Sequence, residues 1–144
     1  MNYGEILSSF LVDLQSFYRK NISIEGASFP QILALSIIPN DGIEMSVLSK
    51  KIGIDNSTAT RLVIGLEKKG WVERTTALYD QRVIQVTLTE YGDEVQSQLE
   101  AQFNKLGSAI EKEVDPLDRD EMIEYMSSLN WILSKMILRD EKIV

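Results

Sequence analysis

Cysteine and histidine are both absent from the 144 residues. Disulfide staples, thiol redox switching and thiolate or imidazole metal sites are excluded with them, as is the commonest general base. An enzyme built on this chain would have to work with carboxylates alone. No pair of acids stands out on a plausible concave site, so the chain is not expected to be an enzyme. Long apolar runs are also missing: none approaches the roughly 18 residues that a membrane span requires. The start, Met1-Asn2-Tyr3-Gly4-Glu5, has none of the basic character of a secretory signal, and a cytoplasmic location is expected.

What is present is ordinary in amount but uneven in placement. Hydrophobic residues make up 44% and charged residues 26%, the composition of one soluble globular domain with enough apolar material for a core. The formal net charge is −7, which argues at first against nucleic acid. Its distribution argues the other way. Lys50, Lys51, Arg61, Lys68, Lys69, Arg74 and Arg82 face only four acids between residues 50 and 82, whereas the rest of the chain holds eight basic residues against eighteen acidic ones. The middle is basic and both ends are acidic.

The run 55–70 organises this middle. Asp55 and Asn56 are helix-capping residues and Gly70 is a stop. Ala59, Leu62, Val63 and Leu66 recur at helical spacing, and at about 100° per residue Ser57, Arg61, Ile64 and Lys68 fall on the opposite side. Before it, Pro39-Asn40-Asp41-Gly42 is a turn, residues 43–45 are strand-like, and Val47, Leu48 and Ile52 form the inner face of a two-turn helix closed by Gly53. Two short helices joined by a tight glycine-containing turn make a helix-turn-helix. The β-branched runs 71–75 and 83–88, with a polar tip at 76–82, add a hairpin directly after it. The spacing thus predicts a winged helix.

Longer helices flank this unit. Leu7, Leu11, Leu14 and Tyr18 define a helix over 3–20 with Ile6, Phe10 and Phe17 beside them, an apolar surface wide enough to need other elements or a second subunit. Ser28 caps a short helix with Pro30 in its first turn. Thr89 caps a helix carrying Val95, Leu99, Phe103, Leu106 and Ile110. Asp115-Pro116 reads as the cap and first position of the last helix, where Met122, Met126, Leu129, Leu133 and Met136 form a coiled-coil-like seam. The acids Asp115, Asp118, Asp120, Glu121 and Glu124 fit a charged first turn better than a metal site.

Ordered motifs over residues 28–92 resemble the MarR family of winged-helix transcription regulators: Ser28-Phe29-Pro30-Gln31, Leu48-Ser49-Lys50-Lys51-Ile52-Gly53, Ser57-Thr58-Ala59-Thr60-Arg61-Leu62, Leu66-Glu67-Lys68-Lys69-Gly70, Asp80-Gln81-Arg82 and Leu88-Thr89-Glu90-Tyr91-Gly92. The resemblance implies one mainly α domain with a small β-hairpin wing over 1–144. Its winged helix-turn-helix would span 24–90, and helices in 1–22 and 90–140 would form the dimerisation region. It also implies a homodimer, often a repressor, that binds double-stranded DNA at a pseudo-palindromic operator. The recognition helix 55–69 would lie in the major groove and the wing 76–82 in the minor groove. No cofactor is expected; a small lipophilic or aromatic effector, of unknown identity, would release the DNA. Two departures stand out. Many members carry a polar or charged pair where this chain has Ile64-Gly65, and the wing has only Arg82 near its tip.

The residues expected to meet DNA are Asn56, Ser57, Thr58, Thr60, Arg61, Ile64, Lys68 and Arg82. Ser57 and Arg61 are placed for base edges, since serine is versatile and arginine grips guanine bidentately. Lys68 suits a phosphate and Ile64 a thymine methyl. Asn56 and Thr58 have capping as an equal role. The resemblance makes Arg82 the minor-groove residue, with Asp80 and Arg74 as wing support: Asp80 either orients Arg82 or pairs with Arg74. The alternative function is a winged-helix dimer whose recognition surface binds a protein partner.

Overall fold

The computed structural model describes residues 1–140 and 142–144. In chain order it has α1 (Tyr3–Asn21), α2 (Phe29–Ser36), β1 (Ile43–Glu44), α3 (Met45–Ile52), α4 (Asn56–Lys68), β2 (Val72–Ala77), β3 (Asp80–Leu88), α5 (Glu90–Glu113) and α6 (Arg119–Arg139). The three strands form one antiparallel sheet in the order β1-β3-β2. Ile43 pairs with Val86, and β2 pairs with β3 from Val72–Leu88 outward. This is the winged helix that the spacing predicts.

Local chemistry explains where the helices begin. Ser28 and Gln31 close a capping box: the Ser28 hydroxyl accepts from the Gln31 N–H, and the Gln31 side chain accepts from the Ser28 N–H. Gly53, at φ 79°, ends α3 in a left-handed conformation that costs glycine nothing. The far end of α2 is capped from a distance. Buried Gln96 on α5 donates to the carbonyls of Leu35 and Ile38, both at 2.8 Å, which satisfies acceptors the helix itself leaves open. The main core gathers Leu35 and Ile38, Leu48, Val63 and Leu66, Trp71, Val86 and Val95, so α2, α3, α4, the sheet and α5 share one interior. A second cluster of Ile22, Ile32 and Leu99, with Tyr18 and Phe103 against it, fixes the end of α1 to α2 and α5.

Two expectations are corrected. Asp115-Pro116 does not start the last helix. The Asp115 carboxylate accepts from the Leu117 N–H at 2.9 Å and its carbonyl accepts from Asp118 N–H, which folds 115–118 into a turn. The helix then begins at Arg119, with Asp118 at its N-cap position making no side-chain bond. The hairpin tip is also tighter than 76–82. Thr76 pairs with Ile84 and Ala77 with Asp80, so the strands run on until only Leu78 and Tyr79 close the turn. β-branched threonines favour that extension.

The end helices are bare in the single chain. No residue of α1 or α6 is buried. Phe10, Leu11, Phe17, Met126 and Trp131 are all more than half exposed.

One close approach holds the parts in register. A Cβ on Gly92 would stand 1.8 Å from the carbonyl oxygen of Trp71, so only glycine lets α5 start against β2. Gly92→Ala should therefore destabilise the chain by about 1–3 kcal/mol, as overpacking does. Urea unfolding checks it, and an unchanged midpoint would contradict the stated contact.

Candidate nucleic-acid interface

α4 is held along one side and free along the other. Ala59, Val63 and Leu66 are fully buried, while Ser57, Arg61 and Lys68 are exposed and Thr60 and Ile64 half-buried. The helix phase read from the sequence thus gives the outward face correctly. Gly65 takes on a different meaning. A Cβ there would lie 2.6 Å from Gln31 Nε2, so the missing side chain leaves room for the capping-box glutamine of α2. The residue serves the α2–α4 contact.

Hydrogen bonds decide which outward groups are available. Asp55 caps α4: its carboxylate accepts from the Thr58 N–H at 2.7 Å and from the Ser57 hydroxyl at 2.8 Å. The backbone bond from Thr58, then the Ser57 hydroxyl, lowers the Asp55 pKa from its ordinary 3.8 to about 2. The Ser57 proton is committed to Asp55, so its outward oxygen is an acceptor. Thr60 donates to the Asn56 carbonyl at 2.8 Å, a bond internal to the helix. The Asn56 amide is engaged by buried Ser49 of α3 at 2.7 Å, which leaves only one end of it free to reach outward. Arg61 makes one long contact to Thr58, at 3.4 Å. The first turn is therefore largely self-engaged, and Arg61 and Lys68, further along α4, are the helix's outward cations.

The wing carries the third. Arg82, 90% exposed in its side chain, is gripped by Asp80: Nε reaches Oδ1 and Nη2 reaches Oδ2, both at 3.1 Å, and the Arg82 N–H donates to Oδ1 at 3.0 Å. The Arg82 guanidinium holds the Asp80 carboxyl below the usual carboxylate range. Arg74 pairs elsewhere. Its Nη2 meets Glu67 Oε1 at 3.1 Å and its N–H donates to Glu67 Oε2 at 3.3 Å, which ties β2 to the last turn of α4. Of the two roles open to Asp80, the structure selects the orientation of Arg82. Asn56 and Arg82 come together on a hollow of about 310 Å³ between the start of α4 and the wing, with Met45, Ser46, Val83 and Ile84 completing it.

Sequence reasoning missed four residues here. Ser49 and Glu67 bind Asn56 and Arg74, each seven positions away in the chain, and Gln31 fills the space left by Gly65 thirty-four positions on. Tyr79 is the fourth: its hydroxyl donates to the Glu44 carboxylate at the head of α3, and that bond raises the Tyr79 pKa. Only the Glu67–Arg74 pair had a visible signal, opposite charges flanking a glycine turn.

A helix-turn-helix with a cationic outward helix face and an arginine-bearing wing defines the class of winged-helix DNA-binding proteins. Residues 28–84 match the model of the MarR family. The chain is 28% identical over 129 residues to the HTH-type transcriptional regulator SarZ of Staphylococcus haemolyticus, covering 90% of this chain and 83% of that one. It is 33% identical over 88 residues to the transcriptional repressor MprA of Escherichia coli, covering 61% of this chain and 50% of MprA. Its fold is like that of the crystal structure of MarR, with a TM-score of 0.78 at 18% identity over 94% of this chain and 93% of that one. It is also like Streptococcus pneumoniae FabT, solved in complex with DNA, with a TM-score of 0.71 at 20% identity over 92% and 96%. Over its winged-helix segment the chain is similar to the MarR family, and the relatives it resembles are named as transcriptional regulators.

The Asp55 cap has a pH signature. A carboxylate with a depressed folded-state pKa adds stability above its unfolded value, and that stability is lost as pH falls through the folded value. Asp55→Ala should lower the melting temperature at neutral pH, and its difference from the unaltered chain should narrow as pH drops from 3.8 towards about 2. Thermal unfolding across that window is the measurement; a difference that stays constant with pH would remove the charge from the explanation.

Proposed function

We propose that this chain acts in the cytoplasm as a homodimeric, sequence-specific repressor, with α4 in the major groove and the wing in the flanking minor groove. The observation that carries the reading is the shared hollow between α4 and the wing. It brings the Asn56 end of the helix and the Arg82 guanidinium to one side of the molecule, as a duplex backbone lying between two grooves requires. Ser57, Arg61 and Ile64 are the residues proposed for base edges, and Asn56, Thr58, Thr60 and Lys68 for backbone contacts at the helix ends and flank. Asp80 and Arg74 support the wing. The names of the relatives favour DNA over a protein as the partner of this surface.

Dimerisation is supported by the bare faces of α1 and α6, which leave too much apolar surface exposed for one chain. A second copy burying those faces sets two recognition helices side by side, and that symmetry calls for a pseudo-palindromic operator. A hollow of about 310 Å³ between α1, α5 and α6, with Leu14, Tyr18, Ile110, Met122 and Met126 around it and Arg119 at its edge, suits a small lipophilic or aromatic effector.

The deciding experiment is selection of bound duplexes from a random pool, followed by affinity measured against salt. Log K should fall linearly with log salt at about 0.9 per phosphate neutralised, and sedimentation should give two chains per particle. Failure to bind any selected duplex at low salt would sink the reading. Arg61→Ala should relax base preference at one position in each half-site by about 1–3 kcal/mol. Arg82→Ala should weaken binding by an order of magnitude, roughly uniformly across sequences, with the melting temperature unchanged. An Arg82→Ala affinity equal to that of the unaltered chain would contradict the wing assignment.

A further inference from the structure

The two residues that close the wing are chemically odd for a hairpin turn, where glycine, asparagine and aspartate are usual. Leu78 is 107% exposed and Tyr79 69% exposed. Tyr79 has an internal explanation, because its hydroxyl is bound by Glu44. Leu78 has none. A leucine left fully in water forgoes the stabilisation that burial of its side chain would bring.

Its backbone is nevertheless held. Ala77, immediately before it, is 5% exposed and pairs with Asp80, with a shift in strand register between Thr76 and Ala77. Tyr79, immediately after it, is tied to the head of α3. Two positions on, Asp80 holds the Arg82 guanidinium in a two-pronged grip. One apolar side chain and one cation therefore leave the same braced tip, and the cation belongs to the surface proposed for DNA. An apolar side chain beside an arginine is the pairing with which minor-groove binders part neighbouring base pairs: the cation is drawn by the groove's potential and the hydrocarbon enters between steps.

We propose that Leu78 is an apolar wedge that enters the minor groove beside Arg82 and partly unstacks one base step under each wing. The inference rests on the DNA reading above and adds to it a source of sequence preference without hydrogen bonds. Flexible pyrimidine–purine steps, TA or CA/TG, are the ones that yield at least cost, so one should recur in selected duplexes at the wing position.

The test uses the full chain and a selected duplex carrying 2-aminopurine at the step beneath the wing, with bend angle read by energy transfer between the duplex ends. The unaltered chain should raise 2-aminopurine fluorescence and bend the duplex. Leu78→Ala should abolish the fluorescence rise and reduce the bend while affinity falls by no more than about tenfold. Leu78→Met, which keeps the hydrocarbon, should restore both signals. Arg82→Ala, at saturating protein, should keep the fluorescence rise. Binding with a fluorescence rise indifferent to residue 78 overturns the wedge and leaves the DNA reading standing. A change in the number of chains per particle in Leu78→Ala overturns it too, by assigning the side chain to a contact between copies. Absence of binding by the unaltered chain overturns both.

Discussion

The carbonyl of Trp71 is where the parts of this molecule are joined. It accepts the Thr89 N–H at 3.0 Å, it occupies the space that a Gly92 side chain would need, and the Trp71 N–H donates to Leu66 at the end of α4. The Thr89 hydroxyl donates to Gly70 and also accepts from Gly92, so the glycine stop of α4 and the cap of α5 share one side chain. Recognition helix, first wing strand, last wing strand and long α5 thus meet within four residues' reach. Any rotation of α5 has to move the end of α4 with it, because dense packing offers no slack at that point.

Electrostatics follow the same economy. Three acids in the basic middle, Asp55, Glu67 and Asp80, are each paired in a way that orients something: the start of α4, the base of the wing and the arginine near its tip. Their charges do not cancel the surface so much as decide which cations point outward. Exposed pairs of this kind add little to stability. Their effect is on geometry, and a lean set of cations depends on geometry more than a crowded one would. The acids in excess lie outside residues 50–82, so a net charge of −7 is compatible with a face that attracts phosphate.

Much of this was legible in one dimension, and for identifiable reasons. Capping residues act over three positions, so Ser28, Asp55 and Thr89 announce their helices. Burial on one side of a helix repeats every 3.6 residues, so Ala59, Val63 and Leu66 could be told from Arg61 and Lys68. The last helix was misjudged for a related reason. Asp followed by Pro is as good a turn as a helix start, and nothing local decides between them.

The sequence by itself determined the winged-helix order, the outward face of α4, the basic middle and the unpartnered apolar faces of the end helices, because each depends on neighbours a few residues apart. Only the tertiary structure decided that Gly65 makes room for Gln31, that Asn56 is half-occupied by Ser49, that Arg74 answers to Glu67, and that Leu78 is left fully in water at the tip of the wing. Those outcomes turn on which distant side chain arrives at a given point in space. No spacing along the chain encodes that arrival; it is settled when the helices and sheet close on a common core.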